Sequence, residues 1–477
     1  MSSLVLPDPG HERSFWLQEA LATDPGEPCP PLAAKVAADV CIVGGGFAGL
    51  WTANALTERE PGLRIALLEA DICGGGASGR NGGFLSSSWF DLKGLVGLFG
   101  EEPGVRYARA LAAQVTEVGA WCEEHHVDAW YHHDGHVFAE VNGEQEGLAL
   151  KQATTADRYA PDAVRLLEPA EVRGYADSPR FRRGTFIADG AVVQPARLAR
   201  GLRRVLLERG VRIFEGTRVT SLERTRPAIV RTETGAVRAE HVILTMGAWA
   251  AGWREFRHRL GNVADFMVAT EPIPERLQEI GWTSMVGLAD GREMLYYLRP
   301  TDDGRIAIGG GTTGTLFGGR VGRASTHQRR IAEVAARGLL WLFPQLEGVR
   351  FTHAWGGPID MTASWTPFFR TLSPGNLHAG LGFSGHGLAA TRVGGQTLAS
   401  LVLGERDEWT ALPVVGDALS RTPPEPFRYA MVRSALWAMG RGDRAADAGR
   451  RPGRLARAMA HAPLLYREGL AWGNRAD

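Results

Sequence analysis

Three glycines, Gly44, Gly46 and Gly49, stand in the spacing G-x-G-x-x-G, and twenty positions after the last of them comes an acid, Glu69. Such a set binds a diphosphate. The first glycine permits a tight turn, the second lets a pyrophosphate approach the backbone, and the third lets helix and strand pack closely. Phe47 and Ala48 open the following helix, whose free N–H groups and dipole face the phosphates. Glu69, with Ala70 beside it, suits hydrogen bonds from ribose hydroxyls and repels a 2′-phosphate. The pattern predicts a dinucleotide, NAD or FAD, and disfavours NADP.

The elements needed to hold these residues are legible around them. ADVCIVGGG, from Ala38, is a short apolar run of the kind buried in a parallel sheet. FAGLWTANALTERE has apolar spacings of three and four, a helical pattern, and RIALLEA is a second apolar strand. Together they form a βαβ unit. Residues 1–37 read as a loose lead-in with one helical piece around Phe15–Leu21. Helical patterning dominates from Leu92 to about Arg180, strand-like runs fill 262–320, and a helix follows over 326–342. QPARLARGLRRVLLERGVRIFEG reads as helix then strand, and VRAEHVILTMGAWA as a buried strand ending in glycine. NLHAGLGFSGHGLAATRVGGQTLASLVLG reads as strand, glycine turn and helix.

Composition narrows the class. Lys+Arg and Asp+Glu are both 53 in 477 residues, so no bulk charge draws the chain to nucleic acid. The four cysteines, Cys29, Cys41, Cys73 and Cys122, form no CxxC, which fits a reducing cytoplasm and argues against a disulfide framework. No signal peptide and no apolar run long enough to span a membrane is read. His125, His126, His132, His133, Asp134 and His136 cluster, but without the spacing of a metal site; no metal is expected.

The stretch after Glu69, ADICGGGASGRNGG, is rich in small residues that let the backbone approach a bulky planar group. With QPARL, EGTRVTSL, ILTMGAWA, YYLRPTDDGRIAIGGG, HAWGGPID and GFSGHG, it resembles the D-amino-acid oxidase superfamily, in its glycine-oxidase and sarcosine-oxidase-like branch. GASGRNGG is similar to the γ-glutamylputrescine-oxidase-like members. SFWLQEAL, MVATEPIPERL, HAWGGPIDMT and PPEPFRY look most like aminophosphonate oxidoreductases. The resemblance spans roughly residues 12–430. It implies an α/β (α+β overall) fold: a Rossmann-like FAD-binding domain from 38–91, 188–250 and 350–405, interleaved with a sheet-based substrate domain from 92–187 and 251–349. A helical tail, 406–477, would dock on the domain or on another subunit of a homo-oligomer.

It also implies positions for the cofactor. FAD would lie over Gly44–Gly49 with its ribose on Glu69. Ala77, Ser78, Arg80, Asn81, Gly82 and Gly83 would line the flavin and phosphate side. Val219 matches the valine whose backbone meets the adenine, and Thr245 and Gly247 match the strand end beside the cofactor. Gly382, Phe383, Ser384, Gly385, His386, Gly387 and Leu388 match the C-terminal motif, with His386 beside the ring. The attachment cysteine and histidine of covalent relatives have no counterpart here, which implies noncovalent FAD. The lysine that promotes reaction with oxygen falls at Ala307, and the lysine that holds a substrate carboxylate falls at Ala389.

The implied reaction oxidises a C–N bond of a primary or secondary amine by hydride transfer to flavin N5. The imine product hydrolyses to a carbonyl, and oxygen or another acceptor takes the electrons. An aminophosphonate, a polyamine and a natural-product amine stay open as substrates. Tyr296, Tyr297, Trp355, Trp89, Trp365 and His353 are candidate pocket residues, and Arg292, Arg320 or Arg392 would clamp an anionic group. Arg299 and Arg305, flanking a turn, read as structural. Two other classes remain: a flavin monooxygenase, disfavoured because GFSGHG replaces its second G-D fingerprint, and a non-catalytic flavoprotein subunit.

Overall fold

The computed structural model describes residues 6–9, 13–416, 421–451, 453–456 and 458–460. Two large sheets organise an α/β chain. In the first, the β-branched run Lys35–Val43 lies between Ala236–Leu244 and Ile65–Leu68, parallel to both. Arg212–Phe214 extends this sheet on one side and the antiparallel pair Leu377–Leu381 and Phe368–Leu372 on the other. Strands buried on both faces need continuous apolar sequence, and Cys41, Ile42, Leu67 and Ile243 have no solvent exposure. The second sheet has nine strands, mostly antiparallel, running from Val164–Leu167 to Gly314–Thr315.

The structure moves two segments from where the resemblance put them and tightens the lead-in. Phe351–Met361 pairs along its length with Gly261–Thr270, so this strand belongs to the second sheet and not to the cofactor domain. Its HAWGGPID sequence is glycine-interrupted, and Gly356 makes room for the Phe266 ring. The helix Glu101–Glu124, assigned to the substrate domain, shares a core with the cofactor-domain helices. Trp121 meets Trp51 edge-on at 5.0 Å and donates to Asn54 Oδ1 at 3.2 Å. Such a pair adds about 1 kcal/mol beyond area burial. The lead-in is not loose: Phe15–Thr23 is a helix capped by Ser14, and Trp16 is completely buried. Gln194 donates to the Trp16 carbonyl and Arg197 pairs with Glu19 at 2.6 Å, which fastens this helix to Pro195–Glu208.

After the second sheet, Phe427–Asp447 forms a long helix that packs on its own chain. Asp443 accepts from the Glu293 and Met294 N–H groups, and Asp447 pairs with Arg292. Arg433, Arg441 and Trp437 of the basic tail lie on this helix, whereas Arg457 falls outside the described residues. Among the described residues no helix is long and apolar enough to cross a membrane.

The helix Phe47–Arg59 rests on Gly387–Leu403 through a glycine. A Cβ at Gly395 would stand 2.7 Å from the Trp51 backbone carbon. The Gly395→Val variant is therefore expected to unfold at lower temperature than wild type. Forcing the helices apart costs ~1–3 kcal/mol, more than the gain from removing a helix-interior glycine. An unchanged Tm would show that these helices do not need the close contact.

Candidate functional site

The first strand ends at Gly44 with φ of +115°, and a Cβ there would lie 2.6 Å from the Thr245 carbonyl oxygen. A Cβ at Gly49 would lie 2.1 Å from the Gly44 oxygen. Only glycine satisfies both contacts, so turn, strand and helix close on each other as their spacing demands. Gly46 caps the helix without a side chain, leaving its N-terminus directed at a cavity of about 1050 Å³. Gly44, Gly46, Phe47, Ala48, Glu69 and Ala70 line that cavity. Glu69 bridges the loop, accepting from Gly45 N at 2.7 Å and Asp71 N at 2.9 Å. Burial pushes its carboxyl above the ordinary value, with both N–H groups opposing that shift.

The second wall is the loop 77–83. Ser78 Oγ accepts from Phe47 N at 2.8 Å, tying the loop to the helix start. Arg80 donates from Nε to the Gly75 carbonyl at 2.8 Å and from Nη1 to the Gly356 carbonyl at 3.0 Å. Asn81 donates to the Ser78 carbonyl and accepts from Gly83 N. Ala77, Ser78, Arg80, Asn81 and Gly82 line the cavity; Gly83 lies behind them, where a Cβ would strike the Val193 carbonyl. Val219, Thr245 and Gly247 line the cavity at the sheet's edge.

The third wall is the C-terminal motif. Positive φ at Gly382, Ser384 and Gly385 turns the chain into Gly387–Leu403, which begins with no side-chain cap. Asp360 accepts from Gly382 N at 2.5 Å to hold the turn, and burial lifts its carboxyl to about 6. Phe383, Ser384, Gly385, His386, Gly387 and Leu388 line the cavity, while Gly382 packs against Thr362 behind it. His386 opens onto the cavity beside Phe90, and desolvation holds its imidazole below its ordinary pKa.

Two uncapped helix N-termini, a glycine cradle and a carboxylate at the second strand's end thus face one cavity. This donor set fits an extended dinucleotide: N–H groups for the diphosphate at Gly46–Ala48, Glu69 for ribose, and the second N-terminus for an electron-rich ring edge.

Several other expected pocket residues are elsewhere. Tyr296 points away, its ring against Gly338 and over Arg292 at 3.8 Å. Tyr297, its neighbour on a pleated strand, therefore faces the cavity. Trp355 is buried beneath the loop, donating to the Arg80 carbonyl at 2.8 Å. Trp89 donates to Asp189, and His353 lies on the Phe15 ring. Trp365 does line the cavity. None of the three arginines proposed as an anion clamp lines it. Arg292 pairs with Asp290 and Asp447, Arg392 with Glu117, and Arg320 is exposed. Arg305 pairs with Asp303, and Arg299 is buried over the Trp16 ring with its pKa pushed down to about 9. Ala307 and Ala389 are buried in apolar clusters away from the cavity wall. The histidine cluster disperses: His132 pairs with Asp302, His133 with the Ala188 carbonyl and His136 with the Ala191 carbonyl.

Two features of the wall escaped sequence reasoning. One is the C-terminal helix, which contributes Met431, Val432, Ala435, Leu436 and Met439 opposite Met294. The second is Asp265, which lines the cavity beside Tyr297. Its signal is an acid inside the otherwise apolar strand GNVADFMVAT.

Fold and cradle together define a flavin-type dinucleotide oxidoreductase. The comparisons agree. The model of the family described as FAD dependent oxidoreductase matches residues 39–401. Gamma-glutamylputrescine oxidoreductase of Escherichia coli (strain K12) is 29% identical over 423 residues, covering 87% of this chain and 93% of that protein. Sarcosine oxidase subunit beta of Rhodobacter capsulatus is 24% identical, covering 76% and 84%. The crystal structure of glycine oxidase from Geobacillus kaustophilus superposes with a TM-score of 0.64 at 20% identity, covering 78% of this chain and 96% of that one. The chain belongs to the FAD dependent oxidoreductase family, and its cofactor is FAD.

Replacing Glu69 by alanine removes the bridge between Gly45 and Asp71 and the carboxylate expected to hold the ribose. Glu69→Ala is expected to purify with less bound FAD than wild type at an unchanged far-UV circular dichroism spectrum. Full flavin content, read from the visible band against protein absorbance, would refute the role.

Proposed function

We propose that this oxidoreductase acts on the C–N bond of a primary or secondary amine that lacks an α-carboxylate, with noncovalent FAD. The observation that carries the reading is the continuity of one cavity, from the glycine cradle and loop 77–83 to the apolar face of the C-terminal helix. Three relatives are named for amine or amino-acid donors: gamma-glutamylputrescine, sarcosine and glycine. FAD, when bound, supplies the hydride acceptor.

The chain's own residues orient and enclose. Loop 77–83 is held by Arg80 and Asn81, so its backbone presents a fixed face. The N-terminus of Gly387–Leu403 stabilises negative charge that develops near it. Met431, Val432, Leu436 and Met439 exclude water and match an apolar arm on the amine. Of the arginines that line the cavity, Arg80 is held on two carbonyls and Arg428 on the Arg257 and Leu260 carbonyls and on Glu425, while Arg218 stands next to Val219, at the end where the adenine is expected. This favours an alkylamine or polyamine over an aminophosphonate, whose dianion needs a free clamp. No cysteine lines the cavity among the described residues, which supports noncovalent attachment. Oxygen or another acceptor would take the electrons.

Acid precipitation is expected to release the yellow colour into the supernatant; colour held in the pellet would refute noncovalent attachment. In anaerobic mixing, alkylamines or polyamines are expected to bleach the flavin band, with sarcosine and glycine reacting poorly. Rapid bleaching by sarcosine or glycine alone would overturn the substrate reading.

A further inference from the structure

Asp265 sits where the second sheet meets the flavin loop. On one side its strand partner is Gly357, and a Cβ at Gly357 would lie 3.2 Å from the Arg80 side chain. On the other side Tyr297 donates to its Oδ2 at 2.7 Å, and the Tyr297 ring covers Gly82, where a Cβ would lie 2.8 Å from it. The carboxylate is therefore flanked twice by the loop that faces the cofactor. Its Oδ1 accepts the Phe266 N–H at 2.8 Å. An ionised carboxylate has about four acceptor sites, and these bonds fill two. No cation pairs with it among the described residues. Arg80 turns its Nε and Nη1 to backbone carbonyls instead. The contrast with Asp290, more deeply buried but paired with Arg292 at 2.8 Å, is direct.

We propose that Asp265 is the ammonium-binding residue of this cavity, docking the protonated amine head of the incoming substrate against the Tyr297 ring and taking one N–H proton from it onto the carboxylate, so that the neutral amine is the form oxidised. The inference rests on the amine reading above and names the group that recognises the donor. A deep carboxylate without a counter-ion is costly, and a ligand cation that enters its wall offsets that cost. The two open acceptor sites match ammonium N–H donors, and the aromatic ring adds a cation–π surface. Burial already shows its effect, lifting Asp265 to about 6, against the Tyr297 and Phe266 hydrogen bonds. Because this value lies above the ordinary 3.8, the fold favours the protonated acid. That contribution is full below 3.8 and is lost as pH rises through about 6.

The test uses the FAD-loaded enzyme and n-butyltrimethylammonium, a permanent cation with no nitrogen lone pair and so no route to an imine. Calorimetry is expected to show binding to wild type at pH 7.5 that weakens as pH falls through about 6. The groups facing Asp265 are Tyr297, two strands away across Gly309, and Arg80 across the loop; the strand residue opposite is Gly357. Asp360, also near 6, lines the same cavity. Asp265→Asn keeps the shape and the Tyr297 bond, and is expected to lower affinity at least tenfold and flatten the pH profile. A profile retained in that variant would assign the titration to Asp360 and overturn the proposal. Without ligand, Asp265→Asn should melt above wild type at pH 7.5, with the gap closing near pH 4; no gap would also overturn it. Tyr297→Phe removes a donor to the carboxylate, so the binding midpoint should move upward; an unmoved midpoint counts against the pair. If amines fail to bleach wild type while the cation binds through Asp265, the oxidation reading fails and this site stands. If amines bleach both proteins with equal KM, the site fails and the oxidation reading stands.

Discussion

The contact on which the rest depends is the backbone approach at Gly44. There the first strand, the Thr245 end of its neighbour and the helix from Phe47 come closer than any side chain allows. That contact aims the helix N-terminus at the cavity and fixes the distance to Glu69. Because strand, loop and helix share it, a one-atom intrusion displaces the helix start, Glu69 and the parallel sheet together. The loop 77–83 borrows the same rigidity: Ser78 takes the Phe47 N–H, and Trp355 pins the Arg80 carbonyl from below.

A second theme is the disposition of buried charge. Arginine supplies nearly all positive charge in this chain, and most deep guanidinium groups serve as struts. Arg292 anchors the C-terminal helix, Arg203 and Arg200 converge on Glu215, and Arg428 gathers carbonyls at the base of the same helix. Planar groups with several fixed donors suit this work, since they satisfy several carbonyls or carboxylates at once. Asp265 does not follow that rule. A carboxylate with no counter-ion among the described residues, on the wall of this cavity, is where the proposed external cation belongs.

The C-terminal helix gives the cavity its character. Its Asp443 and Asp447 fasten it to the second sheet, while its methionine-rich face closes the chamber. Methionine adapts its shape to irregular neighbours, which suits a wall that admits an aliphatic arm. The residues matched by the family model end at 401, and this wall lies beyond them.

What the sequence determined by itself was local. Gly44, Gly46, Gly49, Glu69, Arg80–Gly82 and the motif at 383–388 were legible because a tight turn, a helix start and a close approach impose residue types at short fixed spacings. Strand and helix order followed from apolar periodicity for the same reason. The tertiary structure alone decided which face each residue of a strand presents. Tyr296 and Tyr297 differ by one position, and pleating sends one toward Gly338 and the other to the cavity. Likewise the Phe351–Met361 strand reads as an apolar run that either sheet would accept, and only pairing over Gly261–Thr270 selects the second. Arg292, Arg320 and Arg392 look alike in a linear chain; the acids brought near two of them by folding, and the exposure of the third, removed them from the site. Asp265 became significant for the same reason: whether an acid has a counter-ion depends on residues far away in sequence, and no local pattern records that distance.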